Sequence, residues 1–306
     1  MTSPHARPPR DLAGYRWRYP GFRWPGGAGL AVSLVLNVEE GAELSLSAGD
    51  ERNESRHEVN HEVVGAPDLC MESQFDYGAR VGYWRITRLL MEAGLPLTLN
   101  ACARALEATP WIAGDAAEQG FEVCCHGWRW ESHAGMEEAQ ERALIARSVE
   151  TIRRLHGKAP VGWHTKSSAS VNTRRLLVEQ GGFLYDSDAY NDDLPYWVPA
   201  GGRPHLVLPY AFDTNDMRFF DSFSYVRGQD FAGYAIDAFD ALLRESRHAP
   251  KMMSIGLHTR IIGRPGRIGG LQAFVDHVRQ HTGVWVATRE QIARHFMQAC
   301  PAPGAA

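Results

Sequence analysis

The stretch Leu30–Val38, LAVSLVLNV, is followed directly by Glu39, Glu40 and Gly41. It is an almost continuous apolar run rich in β-branched residues, which is typical of a strand buried on both faces of a parallel sheet. This strand ends in two carboxylates. An apolar strand that ends in a polar side chain recurs along the chain, and the fold prediction rests on that pattern.

Similar apolar runs alternate with helical stretches. Further strands are predicted at residues 95–99, 121–125, 161–163, 206–209, 252–257 and 284–287. Helices are predicted at residues 80–93, 136–156, 172–180, 230–247, 271–281 and 290–297, and the tyrosine-rich stretch 185–197 is predicted as an ordered, packed loop. Strands that alternate with helices indicate a parallel sheet. We therefore predict an α/β fold, a distorted (β/α) barrel in one domain at residues 29–299, with an N-terminal arm at 1–28 and a C-terminal tail at 300–306.

Composition limits the class of protein. The 32 Lys and Arg residues against 36 Asp and Glu give a net charge of −4, so a nucleic-acid partner is not expected. No apolar run approaches the roughly 18 residues of a membrane span, and the Pro- and Arg-rich start lacks the apolar core of a secretory signal. The five cysteines are odd in number and lack metal-type spacing. We predict a cytoplasmic protein with reduced thiols, no membrane partner and a small-molecule substrate.

Polar side chains follow four of the predicted strands. Glu39 and Glu40 follow the first strand, His126 follows residues 121–125, His164 follows 161–163 and His258 follows 252–257. In a parallel barrel these strand ends meet at one face, which is where the active sites of such barrels lie. Any single histidine could be structural, but the recurrence predicts that these side chains share one site.

Two other motifs carry competing interpretations. Residues 57–61, HEVNH, match the H-E-x-x-H pattern of zinc proteases, but their surroundings are highly charged and lack an apolar stripe, so a solvated loop is the preferred interpretation. Arg260, Arg264 and Arg267 cluster just after His258. One interpretation is that they make a loop soluble and form ion pairs there. The other is that they are guanidinium donors that close over an oxygen-rich substrate or join subunits.

Several longer motifs together resemble a known family. They are residues 37–41 (NVEEG), 72–78 (ESQFDYG), 126–130 (HGWRW), 185–197, 213–218 (DTNDMR) and 256–260 (GLHTR) with 266–267. On these motifs the chain resembles the metal-independent, bacterial-type allantoinase branch of the polysaccharide deacetylase (NodB-homology) superfamily, from about Tyr15 to about Phe296. The resemblance implies a distorted (β/α) barrel of the NodB-homology type, a homotetramer and hydrolysis of a cyclic amide.

The resemblance also bears on a metal cofactor. In the wider superfamily the first strand ends in two aspartates, one a base and one a metal ligand, and two histidines spaced four apart supply the other ligands. The corresponding residues here are Glu39, Glu40, His126 and Trp130. Indole has an N–H donor and no lone pair for a metal. The expected cofactor is therefore none, with zinc held by a substitute ligand such as His164 as the alternative.

Without a metal, a carboxylate must take the proton from water and fixed donors must hold the developing oxyanion. We expect Glu39 to be the general base, with Glu40 and His126 positioning or polarising the substrate, and His258 to protonate the leaving nitrogen. Because adjacent carboxylates repel, the pKa of one of the two glutamates should rise. The remaining predicted substrate contacts are Asn37, Trp128, Trp130, His164, Lys166 and Arg260, with the two tryptophans as flat walls for a planar ring.

The stretch at residues 162–173 departs from the allantoinase branch. It lacks an arginine and a proline that the branch has there, and Lys166 offers only a point charge in place of a bidentate guanidinium. The substrate is therefore allantoin or another hydantoin, imide, lactam or linear amide. Two alternatives remain open, a metal-dependent N-deacetylase of a polysaccharide or small molecule, and a non-catalytic binding homologue.

Overall fold

A computed structural model describes residues 10–55, 63–166, 168–220 and 224–304. The H-E-x-x-H match at residues 57–61 lies outside these ranges. Within them, no helix combines the length and apolar character needed to cross a bilayer. The five cysteines, all of which lie in the described ranges, are free thiols, three of them buried.

The described residues form one nine-stranded sheet with helices packed around it. The strands are β1 Leu30–Val38, β2 Thr98–Ala101, β3 Glu122–Cys125, β4 Gly162–Trp163, β5 Tyr185–Asp186, β6 Tyr196–Ala200, β7 Arg203–Val207, β8 Lys251–His258 and β9 Val284–Val286. The α-helices are α1 Leu69–Tyr77, α2 Tyr83–Glu92, α3 Ala103–Ala108, α4 Pro110–Gln119, α5 Glu138–His156, α6 Thr173–Gln180, α7 Gly228–Glu245, α8 Ile268–Arg279 and α9 Arg289–Ala299.

Strand β1 is the centre of the sheet. The strand order is β6-β7-β5-β4-β3-β2-β1-β8, and every pairing is parallel except the β6–β7 hairpin. One edge of β1 pairs with β8 from Leu30 to Asn37, while the other edge is shared by β9 in the first half and β2 in the second. All nine residues of β1 are buried. The predicted α/β class is confirmed, and the sheet curls into a distorted half-barrel.

The structure differs from the sequence prediction where local patterns are weak. Residues 185–197, predicted as a loop, contain β5 and the start of β6. Strand β5 has only two residues, and β6 is partly exposed and contains Pro199, so neither shows an alternating apolar pattern. The helix predicted at 80–93 begins within a π-helical segment, Gly78–Gly82, which joins α1 to α2. Because glycine has a low helix propensity, the sequence did not indicate that the helical stretch begins before residue 80.

The N-terminal arm packs against the barrel. Trp24 is 1% exposed, and its indole Nε1 donates to the carbonyl of Lys251 at 2.8 Å, at the start of β8. Its ring stacks on Trp285 of β9 at a centroid distance of 5.9 Å. Further out, the Tyr15 hydroxyl donates to the carbonyl of Pro195. The arm therefore covers the amino-terminal ends of the central strands.

Replacing Trp24 by alanine should lower the free energy of unfolding by about 3–5 kcal/mol, because a buried aromatic side chain is lost and a cavity is left behind. Urea denaturation followed by circular dichroism measures the loss. The matched control is Trp17→Ala in the same arm, since the Trp17 side chain is 93% exposed. That variant should stay within about 0.5 kcal/mol of the parent. Equal midpoints for the two variants would mean that the arm does not stabilise the barrel.

Candidate active site

The carboxyl ends of β1, β3 and β8 bring three of the predicted residues together. Glu39 Oε1 lies 3.4 Å from His126 Nε2 and 3.6 Å from His258 Nε2. Glu39 is 1% exposed, and each histidine is 4% exposed. This contact joins side chains that are 87 to 219 positions apart in the chain, because parallel strands deliver their carboxyl ends to one face.

Arg260 balances the buried carboxylates. Its side chain is fully buried, and Nη1 lies 2.9 Å from Glu39 Oε2 and 3.8 Å from Glu40 Oε1. The guanidinium carbon lies 4.2 Å from the ring centroid of Phe75 and 5.3 Å from that of Trp130. Aromatic faces attract a cation, so these rings help to hold the arginine in place. Arg260 therefore belongs to the site and not to a solvated loop.

The other two arginines of this cluster contact other parts of the chain. Arg264 donates to the side chain of Gln74 at 2.6 Å and packs over Tyr77, and Arg267 packs over Phe219. They join the segment after β8 to neighbouring parts of the chain.

Asp216 holds His258 in place from behind. Its Oδ1 lies 2.6 Å from His258 Nδ1, and its Oδ2 accepts the backbone N–H groups of His258 at 2.7 Å and Ile262 at 3.1 Å. Burial by itself lowers the pKa of His258, but the Asp216 and Glu39 carboxylates outweigh burial and raise this pKa to about 9. The imidazole is therefore protonated at neutral pH, with Nε2 directed at Glu39.

The pKa values of the two glutamates are shifted in opposite directions. Burial raises the pKa of Glu39, but His258, His126 and Arg260 together hold it well below its usual range. Burial also raises the pKa of Glu40, and there Arg260 and the Thr259 hydroxyl offset it only in part, so the net shift is upward. Glu39 is thus the ionised member of the pair, and Glu40 is the one closer to protonation.

His126 and His164 are oriented by hydrogen bonds from behind. The Nδ1 of His126 donates to the carbonyl of His164 at 2.5 Å, which directs Nε2 toward Glu39. The Nδ1 of His164 faces the amide of Asn100 at 2.9 Å, and its Nε2 faces the Tyr190 hydroxyl at 3.1 Å. Burial, followed by the positive charges of His126 and Arg289, holds the pKa of His164 well below its usual range. His164 is therefore a neutral imidazole.

Asn37 lies one layer behind the cluster. Its amide Nδ2 donates to the carbonyl of Leu257 at 2.9 Å, and its Oδ1 accepts from Asn100 at 3.3 Å. It is 3% exposed. The structure therefore gives Asn37 contacts that link β1, β2 and β8, and its substrate contact stays a prediction.

Both tryptophans predicted as substrate contacts have a cation over the ring. Trp130 faces Arg260, and the Nζ of Lys166 lies 4.2 Å from its ring centroid. The ring of Trp128 is instead covered by Arg147 of α5, at 3.4 Å. Gly127, with a φ of 83°, turns the chain between His126 and Trp128.

Two exposed aromatic rings that the sequence prediction did not single out as substrate contacts stand beside His164. The rings of Tyr190 and Phe212 stack at a centroid distance of 4.1 Å and are 39% and 52% exposed. The Tyr190 hydroxyl contacts His164, and the ring of Tyr210 lies 4.6 Å from that imidazole. We call Tyr190 and Phe212 the aromatic platform. The tyrosine-rich pattern at 185–197 was the one available signal.

Glu39 and two imidazoles could in principle act as metal ligands, but the charges around them do not suit a divalent metal ion. Trp130 stands where the superfamily has its second histidine, and indole cannot ligate a metal. The guanidinium of Arg260 contacts Glu39 and lies near Glu40, where a second cation would be repelled. In the part of the chain that the structure describes, the one group of three ligating side chains within reach of a common ion is Asp240, His277 and His281, none of which belongs to this site.

Comparison with known proteins identifies the family. A model of the family "Polysaccharide deacetylase" matches residues 65–184. A protein of Schizosaccharomyces pombe that carries the name polysaccharide deacetylase is 40% identical over 293 residues, which cover 89% of this chain and 91% of that protein. The chain belongs to the polysaccharide deacetylase family. The family predicted from the sequence is thereby confirmed.

Solved structures extend this assignment. The crystal structure of PuuE allantoinase has a TM-score of 0.92 and 44% identity, and the match covers 97% of this chain and 99% of that one. A Pseudomonas aeruginosa protein described as a polysaccharide deacetylase also has a TM-score of 0.92, with 45% identity and coverages of 96% and 99%. The predicted barrel of the NodB-homology type is therefore confirmed.

Asp216→Asn should return the pKa of His258 from about 9 toward or below its ordinary value of 6.5, because the largest of the stabilising charges is removed. Titration of the His258 imidazole resonances by NMR measures the change. A raised folded-state pKa stabilises the fold fully below about pH 6.5, and this stabilisation is lost as the pH rises through about 9. The variant should therefore lose more stability at pH 6 than at pH 10. An unchanged His258 titration would refute this role for Asp216.

Proposed function

We propose that the protein hydrolyses a carbon–nitrogen bond in a small cyclic amide without a bound metal, and that allantoin is the first substrate to test. Deacetylases and allantoinases both cleave a carbon–nitrogen bond, so the relatives support the broader hydrolase class. The observation that carries the finer proposal is Glu39, ionised and buried, with two imidazole nitrogens at 3.4 and 3.6 Å and Arg260 as the balancing cation.

Water activation falls to Glu39. Its Oε1 accepts a proton from water as the water oxygen attacks the carbonyl carbon. His126 holds this water in position on the His258 side of Glu39. The low pKa of Glu39 makes it a weak base in the free enzyme. Most of the rate must therefore come from positioning and from stabilising the oxyanion in a site without bulk water.

Leaving-group protonation falls to His258. Its raised pKa keeps a proton on the imidazole at neutral pH, and Nε2 is the nitrogen that faces the reaction. This proton passes to the amide nitrogen as the carbon–nitrogen bond breaks, which leaves a carboxylic acid and a free nitrogen group. The proton taken up by Glu39 then returns to His258 across the 3.6 Å between their facing atoms. The pair is restored for the next cycle.

Substrate recognition rests on the groups around this pair. The aromatic platform offers a flat face for a planar ring, the role that the sequence predicts for Trp128 and Trp130. Lys166 and Trp130 form a cation–aromatic pair beside Arg260 and supply a positive charge for carbonyl or ureido oxygens. The predicted role of Glu40 is to position or polarise the substrate, and its two oxygens accept hydrogen bonds from the Thr259 hydroxyl and the Glu39 backbone N–H.

The second candidate is an N-deacetylase of a sugar or small molecule. It is supported by the names of the Schizosaccharomyces pombe and Pseudomonas aeruginosa relatives, and an acetamide needs the same base and acid as a ring amide. A non-catalytic binding homologue is the third, and it has little need of the paired Glu39 and His258. Homotetrameric assembly and a cytoplasmic location remain predictions.

A substrate screen separates these candidates. Purified protein is incubated with allantoin, hydantoin, simple imides and lactams, and N-acetylated glucosamine oligomers, with and without a chelator. We expect ring opening of a cyclic amide at an unchanged rate after chelation. Acetate release that stops after chelation would support the deacetylase instead, and absence of all turnover would support the binding homologue.

Glu39→Gln should lower the turnover number for the substrate so identified by roughly 10²–10⁴-fold, the usual contribution of a general base. The matched control is Glu122→Gln, because Glu122 is also buried but accepts hydrogen bonds from Thr98 and Tyr185 at the start of β3. The control should keep most of its turnover. Full activity of the Glu39 variant, with circular dichroism unchanged, would remove Glu39 from the mechanism.

A further inference from the structure

A second cluster of metal-ligating side chains lies on helices α7 and α8, away from the Glu39 site. Asp240 is near the end of α7, His277 is in the last turn of α8, and His281 follows four residues after His277. One ligand atom from each lies within 4.8 Å of the others. Helix α7 leads into the start of β8 and α8 into the start of β9, so the cluster lies at the end of the barrel opposite the catalytic face.

The three side chains are already held in place. His277 Nε2 lies 2.8 Å from Asp240 Oδ1, and the two imidazole centroids are 4.5 Å apart. The Nδ1 of His281 donates to the carbonyl of His277 at 2.9 Å, so in the neutral ring Nε2 carries the lone pair. Metal-binding histidines in proteins are commonly fixed through their other ring nitrogen in this way.

Packing limits the freedom of both rings. The buried ring of Phe239 lies edge-on to His277 at 5.5 Å and to His281 at 5.3 Å. The His277 and Asp240 side chains are 24% and 46% exposed. Packing on Phe239 therefore fixes the buried side of the cluster, while its other side is open to water. The open side leaves a position for a solvent ligand.

The chemistry of the donors selects the ion. Two imidazole nitrogens and one carboxylate oxygen suit Zn²⁺ and neighbouring transition metals, whereas Ca²⁺ and Mg²⁺ prefer sites made of oxygen atoms. A cation near the C-terminal end of α8 is also favoured by the helix dipole.

We propose that Asp240, His277 and His281 bind one divalent transition-metal ion that joins the ends of α7 and α8. The ion takes the place of the proton now shared by His277 Nε2 and Asp240 Oδ1, and water completes its coordination. The site is independent of the Glu39 cluster and of the reaction proposed for it. Metal bound here would accompany the purified protein without taking part in turnover.

The test is a titration of the full-length, chelator-treated protein with Zn²⁺ by isothermal calorimetry. We expect one ion per chain, with affinity reduced at least about tenfold in His281→Ala and in Asp240→Asn, because each loses a ligand. His156→Ala, a half-buried histidine in the last turn of α5, is the matched control and should bind Zn²⁺ as the parent does. His281→Gln provides a second, gentler variant.

Thermal unfolding gives an independent readout. Zn²⁺ should raise the melting temperature of the parent and of His156→Ala, since an ion that binds the folded state stabilises it by mass action. It should leave the melting temperatures of the His281 and Asp240 variants nearly unchanged. No Zn²⁺ uptake by the parent, or equal uptake by all of these variants, would overturn the proposal.

Discussion

Two carboxylates buried side by side at the end of one strand are the constraint on which this site depends. An ionised carboxylate is very costly to bury unless it is paired and hydrogen-bonded. Arg260 and His258 supply positive charge to Glu39, and Asp216 in turn balances His258. Burial raises the pKa of Glu40, so a second carboxylate charge is less favoured there than at Glu39. These alternating charges allow an ionised Glu39 to be buried at the end of β1.

The same constraint extends into the neighbouring helices. A Cβ at Gly78 would collide with the Glu40 carboxylate and the Thr259 hydroxyl, and a Cβ at Gly82 would collide with the Thr259 carbonyl. The π-helical segment Gly78–Gly82 between α1 and α2 therefore packs directly on Glu40 and Thr259. Close approach of this backbone excludes water from one side of the site. That exclusion strengthens each of the ion pairs.

In the proposed function, different parts of the molecule carry the chemistry and the specificity. The catalytic pair comes from the ends of the central strands, where the sheet fixes its geometry. The aromatic platform and Lys166 come from the segments that follow β4, β5 and β7, and they lie on the side of His164 and Trp130. On that proposal, the surrounding segments decide which amide reaches the acid and base.

Much of the fold could be predicted from local patterns. Apolar periodicity marked β1 and β8, and the polar residue after each strand marked Glu39, His126, His164 and His258, because parallel strands must deliver their ends to one face. Contacts between residues of distant segments have no such local pattern in the sequence. The pairing of Asp216 with His258, the burial of Arg260 and the contact of Trp128 with Arg147 depend on how separate elements pack.

Short or exposed elements escaped prediction for the same reason. The two-residue β5 and the partly exposed β6 show no period of their own and exist because β7 and β4 pair with them. The meeting of Asp240 with His277 and His281 likewise requires α7 to lie against α8. The sequence by itself determined which strands are buried and which side chains stand at their ends, since hydrophobicity and spacing are local properties. Only the tertiary structure decided which charges meet, because electrostatic pairing depends on distances between segments that packing alone brings together.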